Sequence, residues 1–253
     1  MENSIGNILK EWRKNSRYSQ LQLSIELGIS SKHISFIETG RSHPSKEMIL
    51  KISEFLYVPK REINRALHVA GHAPLYTELT ASDDSFKPVF NAINIMINNH
   101  MPYPALVLNH DWDIVKTNES AKNLMENLGF TKYSNLIEAL ASETPGNSKI
   151  VNWHEVVKDL LIRLQQEISI LGNSNRLQLL ERELRKCLMS FSKEANNMES
   201  DQIVFLTKFR LNEQVSSFFS IFAQLGNVKD VTLSEYKVEL MFPADESTKR
   251  LYK

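Results

Sequence analysis

The sequence predicts an α+β chain, with an all-helical front part and then a part in which helices lie across a sheet of five antiparallel strands. Three observations predict it. Short apolar stripes of helical period fill residues 1–75, a strand–turn–strand–helix pattern begins near residue 105, and the last third alternates apolar and polar residues with period two. At 253 residues, 42% apolar and 24% charged, the chain has the composition of a soluble globular protein, enough for one large or two modest domains. Two are expected: 1–75, a linker region 76–87, and 88–253.

The front part reads element by element. Ile5, Ile8, Leu9 and Trp12 recur at i, i+3, i+4 and i+7, which predicts a helix from about Ser4 to Lys14, with Arg13, Lys14 and Arg17 at its end. Gln20 to Leu27 is a second short helix, which Gly28 ends by taking the left-handed conformation while Ile29 fills the corner. Ser30 is a good N-cap for a third helix. Its Ile34 and Ile37 point inward, and Ser31, Lys32, Ser35 and Phe36 project outward. Two short helices about a tight glycine turn, the second with a polar outward face, make a helix-turn-helix. Two more helices follow, one with Met48, Ile49, Ile52 and Leu56 inward, the next starting at Pro59 in the favoured first helical position and ended by Gly71. The polar "TELTASDDS" is the boundary region.

The string "SQLQLSIELGISSKHISFIETGRSHPS" resembles the Cro/C1-type (XRE-like) helix-turn-helix of bacterial regulators in its S-Q, L, G-[IV]-S, I-S, E-x-G-R and P landmarks, taken in order. It departs at Ser24, where that family usually has Ala between the helices. The resemblance implies a double-stranded DNA operator as partner. Gln20 would bond a phosphate or brace the recognition helix, and Ser31, Lys32, His33, Ser35 and Phe36 lie where that helix meets the major groove. Lys32 can donate to guanine O6 or N7, Phe36 can pack on a thymine methyl, and Arg41 sits where contacts to the DNA backbone are usual. Arg13 and Glu38 resemble a family pair that bridges the first helix to the end of the third, a structural role. The plain alternatives are a solvated helix face and an exposed, unpaired Glu38. Charge agrees with a DNA-binding head: residues 1–75 carry a net +4 and the remainder −4.

In the second part, Val89, Ile93 and Ile97 mark a helix. "PYPALVLNHDWDIVKTNESAKNLMENLG" reads as strand, tight turn, strand and a helix begun by Asn118 or Glu119 and closed by Gly129. A helical middle repeats Trp153, Val156, Val157, Leu160 and Leu164, then Leu177, Leu180, Leu184 and Leu188. "QIVFLTKFRL" alternates Ile203, Phe205, Thr207, Phe209 and Leu211 against Lys208 and Arg210, and "VSSFFSIFAQLG" is a second run. "VTLSEYKVELMFP" puts Tyr236, Val238, Leu240 and Phe242 on one face. The resulting architecture is PAS-like.

Order and local strings resemble the ligand-binding domain of MmyB-like regulators, through "PYPALVLNHDWDIVKTNESA", "NWHEVVKDLL" and "LGNVKDVTLSEYKVELMFPADEST". The usual Trp after the second long helix is missing from "MSFSKEANNMES", and Asn227-Val228 stand where Thr-Pro often does, departures that bear on pocket shape. The resemblance implies a small apolar ligand, with fatty acids the leading class. A sheet face with Phe205, Phe209, Phe219, Ile221 and Tyr236, roofed by Trp153 and Leu160, would enclose it; an ordinary filled core is the alternative.

Other chemistry lacks candidates. The sequence holds no G-x-S-x-G, H-E-x-x-H, P-loop or glycine-rich dinucleotide turn, so neither catalysis nor a cofactor is expected. His68 and His72 are spaced i, i+4, but Gly71 breaks the helix between them and no third ligand is near, so no metal is expected. Cys187 reads as a small buried hydrophobe in a reducing cytoplasm. No apolar run spans a membrane, and the polar N-terminus lacks a secretory core. Two function classes remain: a dimeric transcriptional regulator whose second domain senses a ligand, and an antitoxin-like or phage-type repressor whose second domain only mediates protein contacts.

Overall fold

Four serines set the helices of the head. In a computed structural model, which describes residues 4–79, 83–144, 148–171, 174–190, 204–211, 213–225 and 228–252, Ser4, Ser19, Ser30 and Ser45 each accept the backbone N–H three residues on. They thereby open α1 (Ile5–Asn15), α2 (Gln20–Leu27), α3 (Ser31–Glu38) and α4 (Lys46–Phe55). Pro59, expected as the first helical residue, is instead the N-cap of α5 (Lys60–Val69), so the helix begins one residue later. The apolar stripes converge as expected on one core that holds Ile8, Leu23, Ile37, Ile49 and Leu67, each at most 2% exposed. Gly6 lets α1 approach the end of α3 so closely that a Cβ there would lie 2.5 Å from the Ile37 carbonyl oxygen.

Contacts divide the chain into two compact units, one of residues 1–78, 166–174 and 229–231, the other of 79–165, 175–228 and 232–253. The second is built on a sheet. Its strands are β1 (Ala105–Leu108), β2 (Ile114–Thr117), β3 (Thr207–Leu211), β4 (Gln214–Gln224) and β5 (Lys237–Pro243), all antiparallel in the order β2-β1-β5-β4-β3. Five antiparallel strands with helices were the expectation. The helices that follow the head in the chain are α6 (Lys87–Asn99), α7 (Glu119–Leu128), α8 (Leu136–Ala141), α9 (Trp153–Leu171), α10 (Asn175–Ser190), α11 (Val231–Ser234) and α12 (Glu246–Leu251), of which the end of α9 and the first residue of α11 fall in the first unit. Asn118 is the N-cap of α7, and its buried side chain is fully engaged. Its Oδ1 accepts from the Ala105 and Ala121 amides at 3.0 and 2.9 Å, while its Nδ2 donates to the Ile97 and Tyr103 carbonyls, both at 2.9 Å. One amide therefore ties the end of α6, β1 and α7 together.

Both sheet faces are covered. On one face Ala105, Val107 and Val238 pack with Ile93 and Ile97 of α6. Phe86, at the end of the stretch read as linker, is buried in this same core. Leu106, Ser220, Phe222, Glu239 and Met241 serve the other face, opposite residues of α7, α8 and α9. Two strand expectations are corrected. Val231–Ser234 is the short helix α11, and β5 begins only at Lys237. At the front of β3 the extended run is shorter than the alternation implied: Phe205 precedes the strand, and Ile203 lies outside the described residues, as does Asn227.

Candidate DNA-contact surface and ligand cavity

The exposed side of α3 is built from its buried side. Arg13 donates from Nε to Glu38 Oε1 at 2.6 Å, from Nη2 to Oε2 at 2.8 Å and from Nη1 to the Tyr18 carbonyl at 2.8 Å. Gln20 donates from Nε2 to Glu38 Oε2 at 2.8 Å, so its amide braces the end of α3. Burial alone would push the Glu38 carboxyl up. The hydrogen bonds from Arg13 and Gln20 and the charges of Arg13 and Lys10 outweigh burial and hold it below the usual carboxylate range. Ser24, in the position where Ala is usual, is buried and donates from Oγ to the Leu21 carbonyl at 2.7 Å, which satisfies its hydroxyl inside the helix.

With Glu38 fixed, α3 ends in a Schellman motif: Gly40 at φ 74° bonds back to Ile37, and the Arg41 amide donates to the Phe36 carbonyl at 2.8 Å. That turn brings Arg41 beside Phe36. The Phe36 ring carries Lys32 Nζ 5.5 Å from its centre and Arg41 Cζ 5.9 Å from it, within cation–π range. Ser31, Lys32 and Arg41 are exposed, and His33, Ser35 and Phe36 are half-buried. Lys32, Phe36 and Arg41 are thus brought together on one surface, and Gln20 is turned into the bracing network.

The second unit holds a cavity of about 320 Å³ between the sheet and α7, α8 and α9, within the size range of small-molecule sites. Leu160, Phe205, Phe209 and Phe219 of the predicted set line it. Three do not. Tyr236 belongs to the core on the other sheet face, with its ring 5.5 Å from that of Phe90. Ile221 pairs with Leu240 and is half exposed. Trp153 is buried and donates from Nε1 to the Leu140 carbonyl at 3.1 Å, so it fixes α8 to α9 without reaching the cavity.

Several lining residues escaped the sequence reading. Leu124, Met125 and Leu128 come from α7, and Trp112 from the β1–β2 turn. Trp112 is 1% exposed and adopts φ 66°, rare for a bulky residue. Asn109 holds the turn by accepting from the Asp111 and Asp113 amides at 2.9 and 2.8 Å. Lys237 Nζ lies 4.3 Å from the centre of the Trp112 ring. The polar part of the wall is Asp159, Arg163, Thr207, Ser220 and Glu239. Ser220 Oγ donates to Glu239 Oε1 at 2.6 Å, yet burial pushes the Glu239 carboxyl up despite that bond and the charge of Arg163.

Elsewhere, Cys187 is half-buried with Sγ 3.3 Å from the Ala141 carbonyl oxygen, and burial pushes its thiol up. Among the described residues, no group of three His, Cys, Asp or Glu is placed to hold a metal ion, and no helix is long and apolar enough to cross a membrane.

Comparison with known proteins adds three findings. A profile described as "Helix-turn-helix" matches residues 9–63. The HTH-type transcriptional regulator SlrR of Bacillus subtilis (strain 168) is 38% identical over 60 residues, 23% of this chain; the chain thus spans about 40% of that relative's length. A profile described as "MmyB-like transcription regulator ligand binding domain" matches residues 89–253, which include the sheet and every residue of the cavity wall. The chain therefore belongs to the MmyB-like transcription regulators, with a helix-turn-helix ahead of their ligand-binding domain.

Proposed function

We propose that this regulator reads an operator with the α3 surface, as a cytoplasmic homodimer, and responds to an apolar, fatty-acid-like molecule held in the cavity of its second domain. The domains divide near residues 76–87 in this reading. The observation that carries it is the pairing, in one chain, of a cationic helix face braced from behind with a cavity walled by Leu, Met, Trp and Phe side chains. Apolar walls favour ligands that surrender apolar surface from water, at about 25 cal/mol per Å². A single head covers little DNA, and two heads on half-sites about 34–36 Å apart would supply the remaining affinity.

The test combines two measurements on the full chain. Selection from random duplex DNA gives the operator. Lys32→Ala should then weaken operator binding by about 1–3 kcal/mol and relax preference at one base step, whereas Arg41→Ala should weaken operator and random DNA alike. Equal losses on both DNAs for Lys32→Ala would remove the base-reading role. Mass spectrometry of solvent extracts from the purified protein should show medium- or long-chain fatty acids. Their absence, together with no shift in melting temperature on adding them, would leave the second domain as a protein-contact module.

A further inference from the structure

The charged part of the largely apolar cavity wall is Asp159, Arg163 and Glu239, and this group has a definite chemical character. Arg163, one turn beyond Leu160 on α9, lies with its guanidinium carbon 4.2 Å from the centre of the Phe222 ring. Its nearest acid is Asp159, one turn back, at 3.6 Å, beyond hydrogen-bond length. Among the described residues no group accepts a hydrogen bond from this guanidinium. The ring contact holds the guanidinium at the wall, and its planar fork of donors is unspent on protein acceptors among the described residues. Phe222 stands directly opposite Glu239 in the β4–β5 register, and cross-strand partners have Cβ atoms about 4.5–5.5 Å apart. One Glu239 oxygen takes the Ser220 hydroxyl; the other has no partner among the described residues.

Resting on the proposed apolar-ligand reading, we infer that Arg163 is the head-group anchor of the cavity and selects an amphiphile ending in one carboxylate over the alcohol or the amine of equal chain length. A guanidinium presents two parallel donors that match the two oxygens of a carboxylate, whereas an alcohol engages only one. Burial keeps the Glu239 carboxyl protonated over a wider pH range than an ordinary glutamate, and in that form it donates a further hydrogen bond to the same anion. An ammonium drawn to Glu239 would sit beside the Arg163 cation. Asp159, the other acid on this wall, lies 3.6 Å from that same cation, so an ammonium beside it would meet the Arg163 charge as well. The surrounding side chains, among them Leu106, Phe222 and Met241, then receive the tail.

Calorimetric titration of the delipidated full-length protein at pH 7 with dodecanoate, dodecanol and dodecylamine tests the inference. Dodecanoate should bind about tenfold or more tightly than dodecanol, and dodecylamine weakest. Arg163→Gln should reduce dodecanoate to the dodecanol affinity, leave dodecanol unchanged and keep the melting temperature, while Arg163→Lys should restore part of the preference. If Arg163→Gln leaves the preference intact, or if the amine binds as tightly as the acid, the anchor role is overturned while the apolar-ligand reading survives. If none of the three binds the wild-type protein, the apolar-ligand reading itself fails, and the anchor with it.

Discussion

Two glutamates, Glu38 and Glu239, show how neighbours decide what a buried carboxyl does. Glu38 is matched to a bidentate Arg13 and to Gln20, and its carboxyl is held down. Removing one partner leaves the other charge buried, so Arg13→Ala is expected to destabilise the head by about 3–5 kcal/mol, read from chemical denaturation. Because the folded carboxyl titrates below its unfolded value, the stabilisation is present above that value and fades as pH falls through the lower folded one. Glu38→Gln should flatten that acid limb. Glu239 has the opposite sign: its carboxyl is pushed up, so its stability contribution is full below the unfolded value near 4.5 and is lost as pH rises through the folded one. Glu239→Gln, which can still accept from Ser220, is expected to raise the melting temperature at pH 7 and not at pH 4. An unchanged difference at the two pH values would refute the assignment. The two acids also differ in how far the sequence revealed them. Glu38 sits in a continuous motif whose landmarks fix its role. Glu239 is one charge in an alternating strand, and alternation separates two faces without saying which of them borders a cavity when both are covered. Tyr236 is expected among the cavity residues, whereas Tyr236, Val238 and Leu240 pack in the core on the opposite face and Glu239 and Met241 line the cavity.

Among the elements, those with punctuation in the sequence were legible and those shaped by tertiary pairing were not. Serine N-caps and the glycines at 28, 71 and 129 mark local free energies that act within one turn, and α1 to α5 and α7 follow them closely. The run from Val231 to Tyr236 has strand-like residues but forms α11 and a connection, because cross-strand partners for β5 begin only at Lys237. Gly6 shows the limit of reading helices by stripe alone. Helix propensity favours Gly6→Ala by about 1 kcal/mol, but the new Cβ would meet the Ile37 and Glu38 carbonyl oxygens at 2.5 and 2.9 Å. Backbone oxygens at a helix end cannot step aside without moving α3, and overpacking of this kind costs about 1–3 kcal/mol. The variant is therefore expected to melt below wild type and to lose operator affinity, since the displaced element carries Lys32 and Phe36. A variant that melts higher, as propensity alone demands, would show that α1 and α3 have room to separate.

At the scale of the whole molecule, regulation requires that cavity and operator surface share a free energy. A ligand changes DNA affinity only if it binds the DNA-competent and incompetent arrangements with different strength, typically by about 1–3 kcal/mol, and the same factor must appear when DNA is added first. Titrating the full-length protein with operator at zero and saturating dodecanoate should shift operator affinity several-fold. Titrating with dodecanoate at zero and saturating operator should then shift dodecanoate affinity by the same factor in the same direction. The control belongs in the cavity wall, and Trp153, which anchors α8, is the wrong residue for it. Leu160 borders the cavity from α9, so Leu160→Trp would occupy the space the ligand needs. That variant is expected to hold operator affinity at one of the two limits and to ignore dodecanoate. Dodecanoate binding that leaves operator affinity untouched in the wild-type protein would make the cavity a site without a switch.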